Sequence, residues 1–246
     1  MSLLHVDDVV VKFGGITAVN HANFTVEPGT ITALIGPNGA GKTTCFNVIS
    51  GLQRPTGGRV RFRDQDVTRA TVHRRARRGM GRTFQRLEAF GSLTVRDNVR
   101  VAADIHAGLP GVLKRSTPEV DHLLDRLGIL GYAGERADSV PTGVARMLEV
   151  ARALACKPKL LLLDEPSSGL DEFETDIFGG NLQGLAAEGM GILIVEHDMD
   201  LVMGISDQIH VLDFGYIIAS GTPAEIRSDS RVQEAYLGYS EEGGAA

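Results

Sequence analysis

Residues Ile31–Thr43 read ITALIGPNGAGKT, and the two halves of that run belong to different kinds of structure. Ile31–Ile35 is an unbroken apolar stretch of the length expected for a strand covered on both faces, as in a parallel sheet. Gly36-Pro37-Asn38-Gly39-Ala40-Gly41-Lys42-Thr43 then fits GxxxxGK(S/T) in full, and helical spacing starts near Gly41 and runs to about Ser50, with Gly51 as a stop. Strand, glycine loop and helix in that order are the context the motif requires. The glycines let successive backbone N–H groups turn inward, and the helix start adds positive potential, so the phosphates of a nucleotide are cradled. In such a cradle Lys42 reaches the β- and γ-phosphates and Thr43 offers its hydroxyl to Mg²⁺.

A second apolar run, Leu160–Leu163, ends in Asp164 and Glu165. An aspartate at the tip of a buried strand beside a phosphate loop can hold Mg²⁺ through water, and the adjacent glutamate can polarise an attacking water as general base. Further apolar strands are expected at Ile192–Val195 and Ile209–Asp213, separated by helical stretches around Asp171–Glu188 and Leu201–Ile205. Strands alternating with helices predict an α/β core with a parallel sheet. Leu4–Phe13 reads as an edge strand turned by Gly14-Gly15. Ala22–Val26 and Arg59–Arg63 read as further strands, and Gln208–Phe214 with Tyr216–Ser220 as a late hairpin across Gly215. From about 86 to 150 the character changes. Arg96–His106, Pro118–Leu127 and Arg146–Ala155 have helical spacing, which predicts an inserted, mostly helical lobe between core segments 1–85 and 151–240. Residues 241–246 read as a polar tail.

Composition narrows the class. The 246 residues are 43% hydrophobic and 23% charged, near globular averages, which excludes disordered and fibrous chains. No apolar run approaches the roughly 20 residues that cross a bilayer. Asp7 and Asp8 interrupt the N-terminus before an apolar segment forms, so no secretory signal is read there. Lys and Arg number 25 against 31 Asp and Glu, a formal charge of −6, and nucleic acid is not expected as a partner. The arginines of Arg69–Arg86, including Arg74, Arg75, Arg77, Arg78 and Arg82, read instead as a solvated helix face, paired with acids of a membrane partner. Two cysteines, Cys45 and Cys156, lack CxxC spacing and read as buried thiols of a reducing, cytosolic setting.

Taken in order, these features resemble the ATP-binding cassette (ABC) ATPases over about residues 3–239: phosphate loop, Gln85, helical insert, a signature region near 140–144, Asp164-Glu165, then His197. The resemblance implies a P-loop NTPase (RecA-like) core with an antiparallel β subdomain and an inserted helical lobe. It implies ATP bound by Phe13, stacked on adenine, and by the loop through Thr44, with Mg²⁺ at Thr43, Gln85 and Asp164. Glu165, His197, Gln85 and Lys42 take the catalytic roles, with His197 bonded to the γ-phosphate and ordering Glu165. Ser168-Gly169-Leu170-Asp171 resembles the loop that crosses to a second ATPase subunit. Longer strings, Arg82-Thr83-Phe84-Gln85, Glu196 through Asp207, Gly221-Thr222-Pro223 and Ala235-Tyr236-Leu237-Gly238, are similar to branched-chain amino-acid importer ATPases. Urea and amide importers share much of them, and lipopolysaccharide exporters share the C-terminal pattern. Separate permease chains, a second ATPase subunit and, indirectly, an external solute-binding protein are the implied partners, at the cytoplasmic side of a membrane.

One motif departs from that pattern. The family signature LSGGQ, or LSYGQ in this group, is replaced by Val140-Pro141-Thr142-Gly143-Val144. Gly143 survives, but Pro141 brings neither hydroxyl nor N–H to the partner's γ-phosphate, and the side chain of Val144 forms no hydrogen bond. The resemblance therefore leaves two readings open: a transport motor, or a regulatory nucleotide-binding subunit that hydrolyses weakly.

Overall fold

The computed structural model describes residues 2–83, 88–107 and 117–237. In chain order they form β1 (Leu4–Phe13), β2 (Ile16–Val26), β3 (Ile31–Ile35), α1 (Lys42–Ser50), β4 (Gly57–Phe62), β5 (Gln65–Asp66), α2 (Val72–Arg77) and β6 (Met80–Arg82). Next come α3 (Val95–Ala107), α4 (Thr117–Arg126), α5 (Thr142–Ala155), β7 (Leu160–Asp164), α6 (Glu172–Ala187) and β8 (Gly191–Val195). The chain closes with α7 (Met199–Ile205), β9 (Gln208–Asp213), β10 (Tyr216–Gly221), α8 (Pro223–Ser228) and α9 (Ser230–Leu237).

Two sheets carry the fold, ordered β2-β1-β4-β5 and β10-β9-β3-β8-β7-β6. The first is antiparallel throughout. In the second, β9, β3, β8, β7 and β6 run parallel and β10 folds back against β9. All five residues of β3, of β7 and of β8 are buried, as their unbroken apolar runs require of strands covered on both faces. One face, with Ala33, Leu161 and Ile194, packs on α5, α6 and the helical lobe. The other, with Leu34, Leu162 and Leu193, packs on Phe46 and Ile49 of α1 and on the antiparallel sheet. Among the described residues the lobe has no separate core: Val99 of α3 and Leu124 of α4 join Leu148 of α5 in the cluster that covers the main sheet. Helix α5 runs across residue 150, where the lobe is expected to give way to the core.

Three expectations are corrected. Leu4–Phe13 is an interior strand, hydrogen-bonded to β2 on one side and to β4 on the other. Arg75 is not on a solvated face: it is 1% exposed, and its guanidinium donates to the carbonyls of Val48 and Ile49 at the end of α1 and of Thr68 and Ala70. The last carbonyls of a helix have no partner within it, and a cation there also meets the negative end of the helix dipole. Arg82 likewise turns inward, onto the site described next. Of the two thiols, Cys45 is buried and pushed up to about 12 by desolvation, whereas Cys156 is only half-buried.

Candidate nucleotide site

The phosphate loop leaves β3 at Gly36 and enters α1 at Lys42, and its course depends on two glycines with positive φ. A Cβ on Gly36 (φ +146°) would stand 1.9 Å from the carbonyl oxygen of Leu212, and one on Gly41 (φ +105°) 2.2 Å from that of Ala18. Gly41 thereby brings the β1–β2 hairpin against the loop. Lys42 is 8% exposed, and its Nζ donates to the carbonyls of Gly36 at 2.6 Å and Pro37 at 2.9 Å. Burial lowers its pKa, and the nearby charge of Glu165 opposes that shift. Thr43 is exposed and Thr44 half-buried in the first turn of α1. Phe13 ends β1 with half its surface in solvent (50%) rather than packed in the core.

The tip of β7 lies beside this loop. Asp164 is buried; desolvation raises its pKa, and Arg82, bonded to Oδ2 at 3.2 Å, pulls it back. Arg82 also donates to Asn47 Oδ1 (3.1 Å) and Ser50 Oγ (2.6 Å) of α1 and lies 4.7 Å from the centre of the Phe46 ring. One side chain thus fastens Asp164 to α1. Glu165 adopts φ +47°, a left-handed conformation uncommon outside glycine, held by its N–H on the carbonyl of Val195 at 2.8 Å. That turn points the chain out of the sheet, and His197, after β8, stands with Nδ1 3.9 Å from Glu165 Oε1. Lys42, Asp164, Glu165 and His197 are therefore gathered at the carboxyl ends of neighbouring parallel strands, where open α/β sheets bind ligands. Gln85 lies outside the described residues.

The signature residues gather elsewhere. Pro141 stands at the N-cap of α5 and makes no side-chain capping bond, while Thr142 and Gly143 open the helix. A Cβ on Gly143 would come 2.6 Å from Glu174 Oε1, so a larger residue there would push the Glu174 side chain aside. Glu174 and Asp171 form a reciprocal cap that starts α6. The Ser168 carbonyl accepts from Arg146 of α5 at 2.9 Å. The degenerate signature and the Ser168–Asp171 turn are thus built as one surface.

Sequence reading missed three residues that organise this region: Arg82, Arg146 and Glu196. Glu196 is fully buried, and its two oxygens accept from Ser167 and from the backbone of His197 and Asp198. A charged residue placed directly after the buried β8 was the available signal.

A parallel sheet bearing this glycine loop, with two acids at a nearby strand tip and a helical insert between them, defines a phosphate-loop ATPase of the cassette type. Comparison with known proteins agrees. The ABC transporter model matches residues 19–168, and that of the branched-chain amino acid ATP-binding cassette transporter matches residues 217–242. The chain belongs to the ABC transporter family, whose cassettes are the ATPases that drive transport. It is 41% identical to the high-affinity branched-chain amino acid transport ATP-binding protein LivG of Escherichia coli (strain K12), covering 96% of this chain and 98% of that one. Identity to BraF of Pseudomonas aeruginosa, of the same description, is 39% with the same coverage. The lipopolysaccharide export system ATP-binding protein LptB of Haemophilus influenzae is 32% identical over 97% of this chain and 98% of that one. Among solved structures, an ATP-binding cassette of an ABC transporter in its ADP conformation superposes with a TM-score of 0.88 at 29% identity, covering 97% of this chain and 99% of the other.

Proposed function

We propose that the chain is the ATP-hydrolysing subunit of a branched-chain amino-acid importer. The observation that carries this reading is a complete phosphate cradle, with Lys42 folded onto Gly36 and Pro37, facing Glu165 and His197 across one strand-end crevice. The substrate assignment is supported by the descriptions of LivG and BraF, each matched over nearly its whole length.

In this reading the loop Gly36–Thr44 binds the phosphates and Phe13 stacks on adenine. Thr43 and Asp164, with Gln85, would hold Mg²⁺. The donors fit that ion: a hydroxyl and a carboxylate are hard oxygen ligands, and two or three of them leave the remaining positions to phosphate and water, as Mg²⁺ prefers. When bound, the ion neutralises charge on the transferred phosphoryl group. Glu165 accepts the proton of the attacking water, and His197 hydrogen-bonds the γ-phosphate and orders Glu165.

Pro141, Thr142 and Gly143, with Ser168 and Asp171, complete the nucleotide site of a second ATPase subunit. The core 1–85 and 151–240 and the lobe 86–150 then move against each other. Permease chains engage the groove of about 340 Å³ between them, lined by Leu52, Val72, Phe90 and Ile105. Membership of the transporter family supports peripheral attachment, at the cytoplasmic face; no helix among the described residues is long and apolar enough to cross a membrane. An external solute-binding protein acts through the permease.

One observation favours a second reading, a nucleotide-binding regulatory subunit: Pro141 leaves α5 without a side-chain cap where the signature serine belongs. Calorimetry tests the site itself. Lys42→Ala should bind ATP·Mg at least tenfold more weakly than the wild type; unchanged affinity would remove the cradle from the reaction.

A further inference from the structure

The carboxylate of Glu196 belongs to no role assigned so far, yet it is 0% exposed and saturated with donors from two loops. Oε1 accepts from Ser167 N at 2.8 Å and Ser167 Oγ at 2.7 Å. Oε2 accepts from the backbone N–H of His197 at 3.0 Å and of Asp198 at 3.4 Å, and lies 4.0 Å from His197 Nδ1. Ser167 stands two residues beyond Glu165, and the Glu165 N–H is already tied to the β8 carbonyl of Val195. The next carbonyl, of Ser168, accepts from Arg146 of the signature helix. The loops after β7 and β8 belong to separate connections, β7 to α6 and β8 to α7.

We propose that Glu196 is a positioning residue that locks these two loops into one rigid unit, so that Glu165 and His197 keep a fixed separation and move together with the Ser168–Asp171 turn. A water-activating glutamate is effective only within a few tenths of an ångström of its place, and a misplacement of about 1 Å costs on the order of 10²-fold in rate. A carboxylate suits the task because it only accepts, and all four contacts are N–H or O–H donors. Glutamine has the same shape, but its NH₂ end would face at least one backbone N–H whichever way the amide turns, and the lock opens on that side. The inference rests on the assignment of Glu165 as base.

The test compares Glu196→Gln, Ser167→Ala, their double variant and Glu165→Gln in the assembled transporter. Steady-state ATPase kinetics are read beside ATP affinity by calorimetry. Glu196→Gln should lower kcat about 10- to 100-fold while KM and ATP affinity stay within about threefold, because the cradle at Lys42 is untouched. Ser167→Ala, which keeps its N–H, should lower kcat about threefold to tenfold by the same route and carries the test if the buried variant does not assemble. The double variant should lose less than the product of the two singles, since both open the same lock. Wild-type kcat in Glu196→Gln, equal losses of kcat and ATP affinity, or independent multiplication of the two effects would each overturn the inference. Turnover retained by Glu165→Gln would overturn the base assignment itself, a failure distinguishable from one confined to Glu196.

Discussion

His210 shows how a single buried group leaves a mark on the whole chain. It is 6% exposed on β9, its ring 5.0 Å from that of Phe24 and its Nδ1 2.8 Å from Ser220 Oγ. Burial penalises the charged imidazole and pushes its pKa down to about 4 from an ordinary 6.5. Between those values the unfolded chain binds the proton and the folded chain does not, so stability rises with pH across that window. Its contribution is fully present above about pH 6.5 and is lost as the pH falls toward 4, by on the order of 3 kcal/mol. Thermal melts from pH 7 to pH 4.5 should therefore fall more steeply for the wild type than for His210→Gln; parallel slopes would contradict the assignment. At this scale the sequence was informative only where chemistry is local. Lys42, Asp164 and Glu165 were legible because their neighbours in the chain are their neighbours in space. Arg75, Arg82 and Glu196 were not, because each has a defining partner far along the chain: Val48 for Arg75, Asp164 for Arg82 and Ser167 for Glu196.

Helix α5 starts without a side-chain cap. Its N-terminus carries Pro141 where a hydroxyl would cap the helix and reach a partner's nucleotide. Losing one preorganised donor to a developing phosphate charge costs about 2.7–4 kcal/mol, roughly 10²–10³ in rate. In a dimer of identical chains both sites bear that loss, so the isolated chain should hydrolyse ATP very slowly. With a partner whose signature is intact, the site on Lys42 should turn over. Restoring Pro141→Ser together with Val144→Gln should raise the ATPase rate of the isolated chain by at least tenfold; no gain, or brisk activity without the change, would show the departure to be tolerated. The helices α3, α4 and α5 were visible as 3.6-residue spacing, and β3, β7 and β8 as apolar runs. Strand β6 was not, because three residues, Met80–Arg82, carry no period. The interior place of β1 was hidden for a related reason: sheet order is fixed by pairing with Gly57–Phe62, well removed along the chain, rather than by any pattern within the strand.

At the scale of the molecule, the docking site proposed for a membrane partner is the groove between core and lobe. Phe90 and Ile105 are 48% and 73% exposed at its rim. Arg152, 5.3 Å from the centre of the Phe90 ring, and Glu149, which accepts from the N–H of Glu88, anchor that rim to α5. Phe90→Asp with Ile105→Asp should leave ATP affinity within about threefold of wild type and release the protein from membranes that contain its permease. Full retention on those membranes would place the docking surface elsewhere. In the mechanism proposed above, ATP held over Lys42 is cleaved by water activated at the left-handed turn of Glu165. Glu165→Gln keeps the shape of the side chain and removes its basicity. Measured in the assembled transporter, its ATP turnover should fall by about 10²-fold or more while ATP affinity is retained. Turnover within a few-fold of the wild type would mean that Glu165 is not the base that activates the water.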